Sequence, residues 1–285
     1  KIKKKNIITT PFTFVADANF GRYINAEIKF ADIDSETWTI DPNKIDELID
    51  DSTLAVVAPH YAGLMCDMEA ISKICKSNNI FLVEDACHAP KALLNNKVSG
   101  SFGDVSTFSF HATKHIGAGE GGMICTDNYE EYEKLHVLRS HGLPHWSKRT
   151  GFGYDINELA FNYRPTEIGA TLAYSHIKRL DELINDRRII AQKYNVRSIP
   201  NVMIIMNGEV KEQVVGNVPE ADISALLDKL INPAPRLLSF HSVGSFTAEK
   251  CNKESDNAYI FVLTGFIKPP GVYPFILLLV APPSK

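Results

Sequence analysis

The chain has 285 residues, 45% of them hydrophobic and 22% charged, with a net charge of −4. That composition suits one large or two modest folded domains and argues against a nucleic-acid surface or a disordered chain. The one basic cluster, Lys1 and Lys3–Lys5, is followed by Asn6 and Thr9-Thr10-Pro11 rather than an apolar segment, so no export signal is read there. The longest apolar run, Phe275–Ala281, is too short for a bilayer, which needs about 20 residues.

In chain order, Glu27–Ile33 reads as a strand and Pro42–Asp50 as a short helix, with Asp41 at its N-cap and Pro42 at its first position. Leu54–Ala58 is a β-rich run. Asp67–Ser77 has helical spacing, with Met68, Ile71, Ile74 and Cys75 on one face. Ile80–Val83 is a buried-strand run that ends in Glu84-Asp85, and Val105–Phe110 and Gly122–Thr126 are further strands. Short strands separated by helices predict βαβ units, hence an α/β fold with a mostly parallel sheet. Thr166 to about Tyr194 reads as one long amphipathic helix whose stripe (Ile168, Leu172, Ile177, Leu180, Leu183 and Ile184) is expected to pack in the core.

The texture changes near Tyr194. Val202–Met206 and Glu209–Gly216 flank Asn207-Gly208, a hairpin turn signal, and Pro219–Ile231 reads as a helix. After Asn232 the chain carries seven prolines and one expected strand, Tyr259–Leu263. The five cysteines form no CxxC pair and read as reduced thiols of a cytoplasmic protein. A zinc site from His60, Cys66, Cys75 and His88 fits no common spacing, so no metal is expected.

In a parallel α/β sheet, ligands gather beyond the carboxyl ends of the strands. Asp85 stands at such an end and Ser109 near the next, and Lys114 precedes the run Gly117-Ala118-Gly119-Glu120-Gly121-Gly122. Taken singly, each has a plain reading: a solvated lysine, a turn aspartate, a packed His88, a strand serine. The glycine run lacks the ending of a nucleotide P-loop. Together they form a set that pyridoxal-phosphate (PLP) chemistry needs. A lysine supplies the Schiff-base amine, a carboxylate the partner of the ring nitrogen, and hydroxyl and backbone donors hold the phosphate.

Order and spacing sharpen this. Val83-Glu84-Asp85-Ala86-Cys87-His88-Ala89, then Gly103 through Lys114, then Gly119-Glu120-Gly121-Gly122, closely resemble the DegT/StrS-type PLP-dependent sugar-nucleotide aminotransferases. So do Pro11–Ala16, Phe30–Asp34, Ile40-Asp41-Pro42, Pro59–Gly63, Leu138-Arg139-Ser140-His141-Gly142 and Phe161-Asn162-Tyr163-Arg164. The resemblance spans about residues 6–194. It implies a PLP-transferase large domain over 1–193, incomplete at its start, since family members carry an earlier Gly-Thr loop that cradles the phosphate.

The resemblance also implies roles. Lys114 would form the Schiff base, Asp85 pair with the pyridinium nitrogen, His88 lie near the phenolic oxygen and Ser109 bind phosphate. Phe14 would stack on the ring, and Asn162 and Arg164 would reach phosphate or substrate, often across a homodimer interface. The implied enzyme moves an amino group, with glutamate as donor, onto a nucleotide-linked keto-sugar, with no nucleic-acid or membrane partner. The alternative is a non-catalytic or chimeric chain that keeps only the core.

Tyr194–Val202, Met206–Val210 and Val214–Gly216 resemble the second half of a thioredoxin. That implies a β-hairpin plus helix over 194–232, with a cis bond before Pro200 and no redox cysteines, and leaves 233–285 unassigned.

Overall fold

The structure, a computed structural model, describes residues 5–144, 156, 158–196, 201–206, 209–215, 222, 225 and 258–263. The chain divides into two compact units, Lys1–Leu180 and Asp181–Lys285.

The first unit is built on a six-stranded sheet. Its strands are β1 (Asn6–Thr9), β2 (Glu27–Phe30), β3 (Thr53–Pro59), β4 (Phe81–Asp85), β7 (Val105–Ser109) and β8 (Gly122–Cys125), in the order β2-β1-β3-β4-β7-β8. The first five are parallel, and β8 returns antiparallel to β7. A two-stranded hairpin, β5 (Leu93–Leu94) with β6 (Lys97–Val98), stands outside the sheet. The helices of this unit are α1 (Ala16–Tyr23), α2 (Pro42–Leu48), α3 (Met68–Asn78), α4 (Tyr129–Arg139) and α5 (Glu167–Lys178).

Strand alternation sends neighbouring side chains to opposite faces. Ile8, Val56 and Leu82 pack with Ile45 of α2 and with Met68, Ile71 and Cys75 of α3 on one face. Ile7, Ala55 and Val57 form a smaller cluster on the other, where Gly21 of α1 lies against Ile7 and Ile28. The sheet is therefore sandwiched between helices. Both faces of β1 and β3 are covered, which is why Leu54–Ala58 of β3 reads as an unbroken apolar run.

Most expected elements are present with small shifts at their ends. The α2 cap is as expected: the Asp41 carboxylate accepts the Asn43 N–H at 2.8 Å. Asp41→Ala leaves that amide without its partner and costs about 1 kcal/mol of stability, measurable as a lower urea midpoint at unchanged slope.

The long helix expected over 166–194 is two helices, α5 and α6 (Leu180–Lys193), broken where Arg179 leaves the helical region at φ −108°, ψ 17°. Its stripe is core only in part: Leu180 is buried, and Leu183 and Ile184 are half-buried. Ile168 is 76% exposed, and Leu172 and Ile177 are exposed too, whereas Gly169 and Ala173 are the buried positions of α5. Small residues let the helix approach its own unit closely, and the large apolar ones face outward.

In the second unit β9 (Asn201–Met206) and β10 (Glu209–Val215) form the expected antiparallel hairpin, with a register shift between Val210 and Glu212. β11 (Ala258–Leu263), where a strand was expected, pairs antiparallel with the other edge of β9. Pro200, the Asn207-Gly208 turn and most of the helix expected over 219–231 lie outside the described residues.

Candidate active site

The parallel strands deliver their loops to one edge of the sheet, at the C-terminal ends of β1, β3, β4 and β7. β2 lies on one side of β1, and β3 and the parallel strands after it lie on the other, the kind of topological switch beside which ligands bind in open α/β sheets.

Asp85 is the last residue of β4, and the turn after it is tight. Its carboxylate accepts the Cys87 N–H at 2.9 Å, and Ala86 N–H bonds to Thr107 O of β7 at 3.0 Å. His88 follows. Its Nδ1 accepts the Ala62 N–H at 3.3 Å, which leaves Nε2 as the proton-bearing nitrogen of the neutral ring. Burial, reinforced by the Lys114 charge and opposed by Asp85, pushes the His88 pKa down to about 4. His88 is thus a neutral hydrogen-bonding group at neutral pH. The Tyr61 ring stands 6.0 Å from it, centroid to centroid, and Phe12 packs on Tyr61 at 4.2 Å.

Lys114 sits in the loop between β7 and β8. That loop folds back on itself through Ala112 N to Gly119 O at 2.9 Å, Ala118 N to Phe110 O at 2.8 Å and Phe110 N to Gly121 O at 2.9 Å. Gly119 and Gly121 adopt φ of 82° and 137°, values side-chain-bearing residues rarely reach, so the doubling back depends on glycine. A fourth bond, Gly117 N to His176 Nδ1 at 3.0 Å, ties the loop to α5. Lys114 lines a small cavity with Ala86, Cys87, Phe108 and Ser109. Burial holds its pKa below the ordinary lysine value, against the opposing influence of Cys87 and Asp85. A desolvated amine spends more of its time unprotonated, the form that attacks a carbonyl.

Of the seven residues expected at the site, Asp85, His88, Ser109 and Lys114 are gathered at this edge. Phe14, in the loop before α1, is 70% exposed and keeps a ring face open. Asn162 and Arg164 are exposed on a separate stretch. There the Ser140–Asn162 bridge, with His141 N to Phe161 O and Tyr163 N to Arg139 O, both 2.9 Å, sets the 161–164 block antiparallel beside the 139–141 block.

Asp17 was not among the expected residues. It lies in the first turn of α1, only 7% exposed, and accepts the Thr13 hydroxyl at 2.7 Å; burial first, and the charge of Asp85 second, push its pKa up to about 7. In sequence it reads as an acid at a helix start; nothing local places it against β4.

Behind the site, His60 and Glu84 are fully buried. The Glu84 carboxylate accepts His60 Nε2–H at 2.8 Å and the N–H groups of Gly100 (2.5 Å), Phe102 (2.9 Å) and Gly103 (3.3 Å). His60 Nδ1 accepts Cys66 N–H at 3.3 Å, so His60 is committed to packing rather than to a metal. Among the described residues no group of three metal-ligating side chains could hold an ion, and no helix is long and apolar enough to cross a membrane.

A mostly parallel sheet that carries a half-buried lysine on a glycine-pinned loop and an aspartate at the end of the neighbouring strand is the architecture of the PLP-dependent transferase class. The donors present suit that cofactor: an amine of lowered basicity, a carboxylate for the ring nitrogen, a neutral histidine and a serine hydroxyl. The chain belongs to the DegT/DnrJ/EryC1/StrS aminotransferase family, whose pattern matches residues 1–219. It is 36% identical over 204 residues to the spore coat polysaccharide biosynthesis protein SpsC of Bacillus subtilis, which covers 69% of this chain and 52% of SpsC. It is 34% identical over 198 residues to a GDP-perosamine synthase of Escherichia coli O157:H7, covering 69% and 53%. Among solved structures it is similar to Helicobacter pylori PseC, an aminotransferase involved in pseudaminic acid biosynthesis, at a TM-score of 0.64 and 32% identity, covering 72% of this chain and 54% of that one. The chain spans about half the length of the curated relatives it matches.

Proposed function

We propose that this protein takes part in PLP-dependent transfer of an amino group, with glutamate as donor, to a keto-sugar carried on a nucleotide. The observation that carries the reading is the half-buried Lys114 amine, held below its ordinary pKa in a small cavity shared with Ser109 and near Asp85. The family membership and the sugar aminotransferases among the relatives support the substrate class.

When bound, PLP supplies the electron sink for the chemistry. Lys114 would hold the cofactor through its aldehyde and, as a free amine, would be the base that moves a proton. Asp85 would pair with the ring nitrogen. His88, neutral and anchored through Nδ1, would offer its Nε2–H as a donor to the cofactor. Ser109 would bind the phosphate, and Phe14 would stack on the ring. Asn162 and Arg164, both exposed, would serve the site of a second copy in a homodimer.

Purified protein mixed with PLP is expected to develop a near-visible absorbance band and to give saturable heat on calorimetric titration. Adding glutamate with a nucleotide-linked 4-keto-6-deoxy sugar should then release 2-oxoglutarate. A protein that melts cooperatively yet shows neither band nor heat with PLP would sink the reading.

A further inference from the structure

Asp85 ends β4 and His88 stands in the turn after it, and a second turn lies against them: the single helical turn Tyr61–Gly63 that follows β3. Backbone groups tie the two together. The His60 N–H bonds to Asp85 O at 3.0 Å, and the Ala62 N–H bonds to His88 Nδ1 at 3.3 Å. An N–H that reaches Nδ1 decides which ring nitrogen carries the proton, since a neutral imidazole has one donor and one acceptor.

That N–H is aimed by an uncommon backbone. Ala62 lies in the left-handed region at φ 54°, ψ 18°, where a residue with a Cβ is strained. Beside it Gly63 is at φ 91°, and a Cβ there would stand 3.1 Å from His88 O. Such a turn persists only where its surroundings hold it. The hold is His60, the residue just before it. The His60 carbonyl accepts the Gly63 N–H at 3.1 Å, which closes the turn. Its side chain is fully buried, donates Nε2–H to the Glu84 carboxylate at 2.8 Å, and accepts the Cys66 N–H at Nδ1 at 3.3 Å. Glu84 precedes Asp85 on β4, so strand alternation sends its carboxylate to the opposite face of the sheet. There the Phe102 N–H, at 2.9 Å, and the Gly100 N–H fix it.

We propose that the buried His60–Glu84 pair is a positioning device of this site: it holds the Tyr61–Gly63 turn so that the Ala62 N–H occupies His88 Nδ1 and keeps the His88 proton on Nε2. His60 and Glu84 lie behind the site and act through His88. Without that N–H the proton passes between the two ring nitrogens, and a donor aimed at the site is an acceptor for part of the time. What the fixed donor does for the cofactor rests on the PLP reading above; the fixed tautomer does not.

The test reads the tautomer directly. In cofactor-free protein labelled with ¹⁵N histidine, long-range proton–nitrogen correlations at neutral pH should show wild-type His88 as one tautomer, with its proton on Nε2. His60→Asn keeps an oxygen for the Cys66 N–H but ends short of Glu84, so its His88 signals should average between the two tautomers. His60→Gln, whose amide reaches Glu84, should restore the single tautomer. Glu84→Asp draws the carboxylate back from His60 and repeats the test from the other partner if His60→Asn does not fold. Ala62→Val leaves the pair intact but resists φ 54°, and should also average the signals. A wild-type His88 protonated on Nδ1, or a tautomer unmoved in the folded variants, overturns the proposal. In PLP-loaded protein, His60→Asn should weaken PLP binding about fivefold, and His60→Gln should recover it. Equal PLP affinity in wild type and His60→Asn overturns the role toward the cofactor. If the wild type binds no PLP, the cofactor reading falls, while the ¹⁵N spectra still decide the positioning.

Discussion

Lys114→Ala is expected to abolish the near-visible band that PLP gives with the wild-type protein, and to lower amino transfer by about 10³-fold or more. The size follows from the two duties that the proposed function gives to one amine: it would hold the cofactor covalently, and it would move the proton. Alanine removes both and leaves a cavity beside Ala86, Cys87 and Ser109. PLP should still bind, more loosely, through the Asp85, His88 and Ser109 contacts, and should wash out on gel filtration. Lys114→Arg separates charge from chemistry, because a guanidinium keeps the cation but forms no Schiff base; its band should vanish as well. A band that survives in both variants would move the Schiff base to another lysine.

The second large effect concerns stability. Glu84→Gln should cost about 3 kcal/mol or more. Every group that faces the Glu84 carboxylate is a donor: His60 Nε2–H and three backbone amides. An amide in its place can accept with its oxygen only, and its NH₂ is forced against two of those donors. Burial alone would raise the Glu84 pKa, but the bonds from His60, Gly100 and Phe102 outweigh it and hold the carboxyl below its usual value. A depressed folded-state pKa contributes stability that is present above the unfolded value, about 4.3, and lost as pH falls through the folded one. Denaturant titrations should therefore show the gap between wild type and Glu84→Gln narrowing below about pH 4. A gap independent of pH would show that Glu84 is not an anion in the fold.

The parallel sheet and the lysine loop were legible because their signals are local. Asp41 caps α2 at the position its sequence marks, and α3 begins next to Asp67, where its helical spacing starts. The glycines after Lys114 announce a backbone that must double back. Other features had no such mark. β1 is four residues long, and its burial comes from neighbours far along the chain. α4 buries none of its side chains, so it carries no apolar stripe to read. The break between α5 and α6 falls at an arginine, with neither glycine nor proline to announce it. The stripe of α5 misled in a different way: periodicity shows that a face is apolar but not what covers it. Asp17 escaped because its partner is set by the order of β1 and β4 in the sheet, a property of topology rather than of any motif.

The loop that carries Lys114 has both ends in the same sheet, since β8 returns antiparallel to β7, and its middle is bonded to itself and to α5. A catalytic amine on a floppy connection must be immobilised anew in each turnover, and the conformational freedom lost counts against the barrier every time. Here that freedom is surrendered once, when the chain folds. The lysine meets each incoming molecule as a preorganised group, so a substitution that loosened Gly119 or Gly121 would slow the chemistry entropically without touching a single reacting atom.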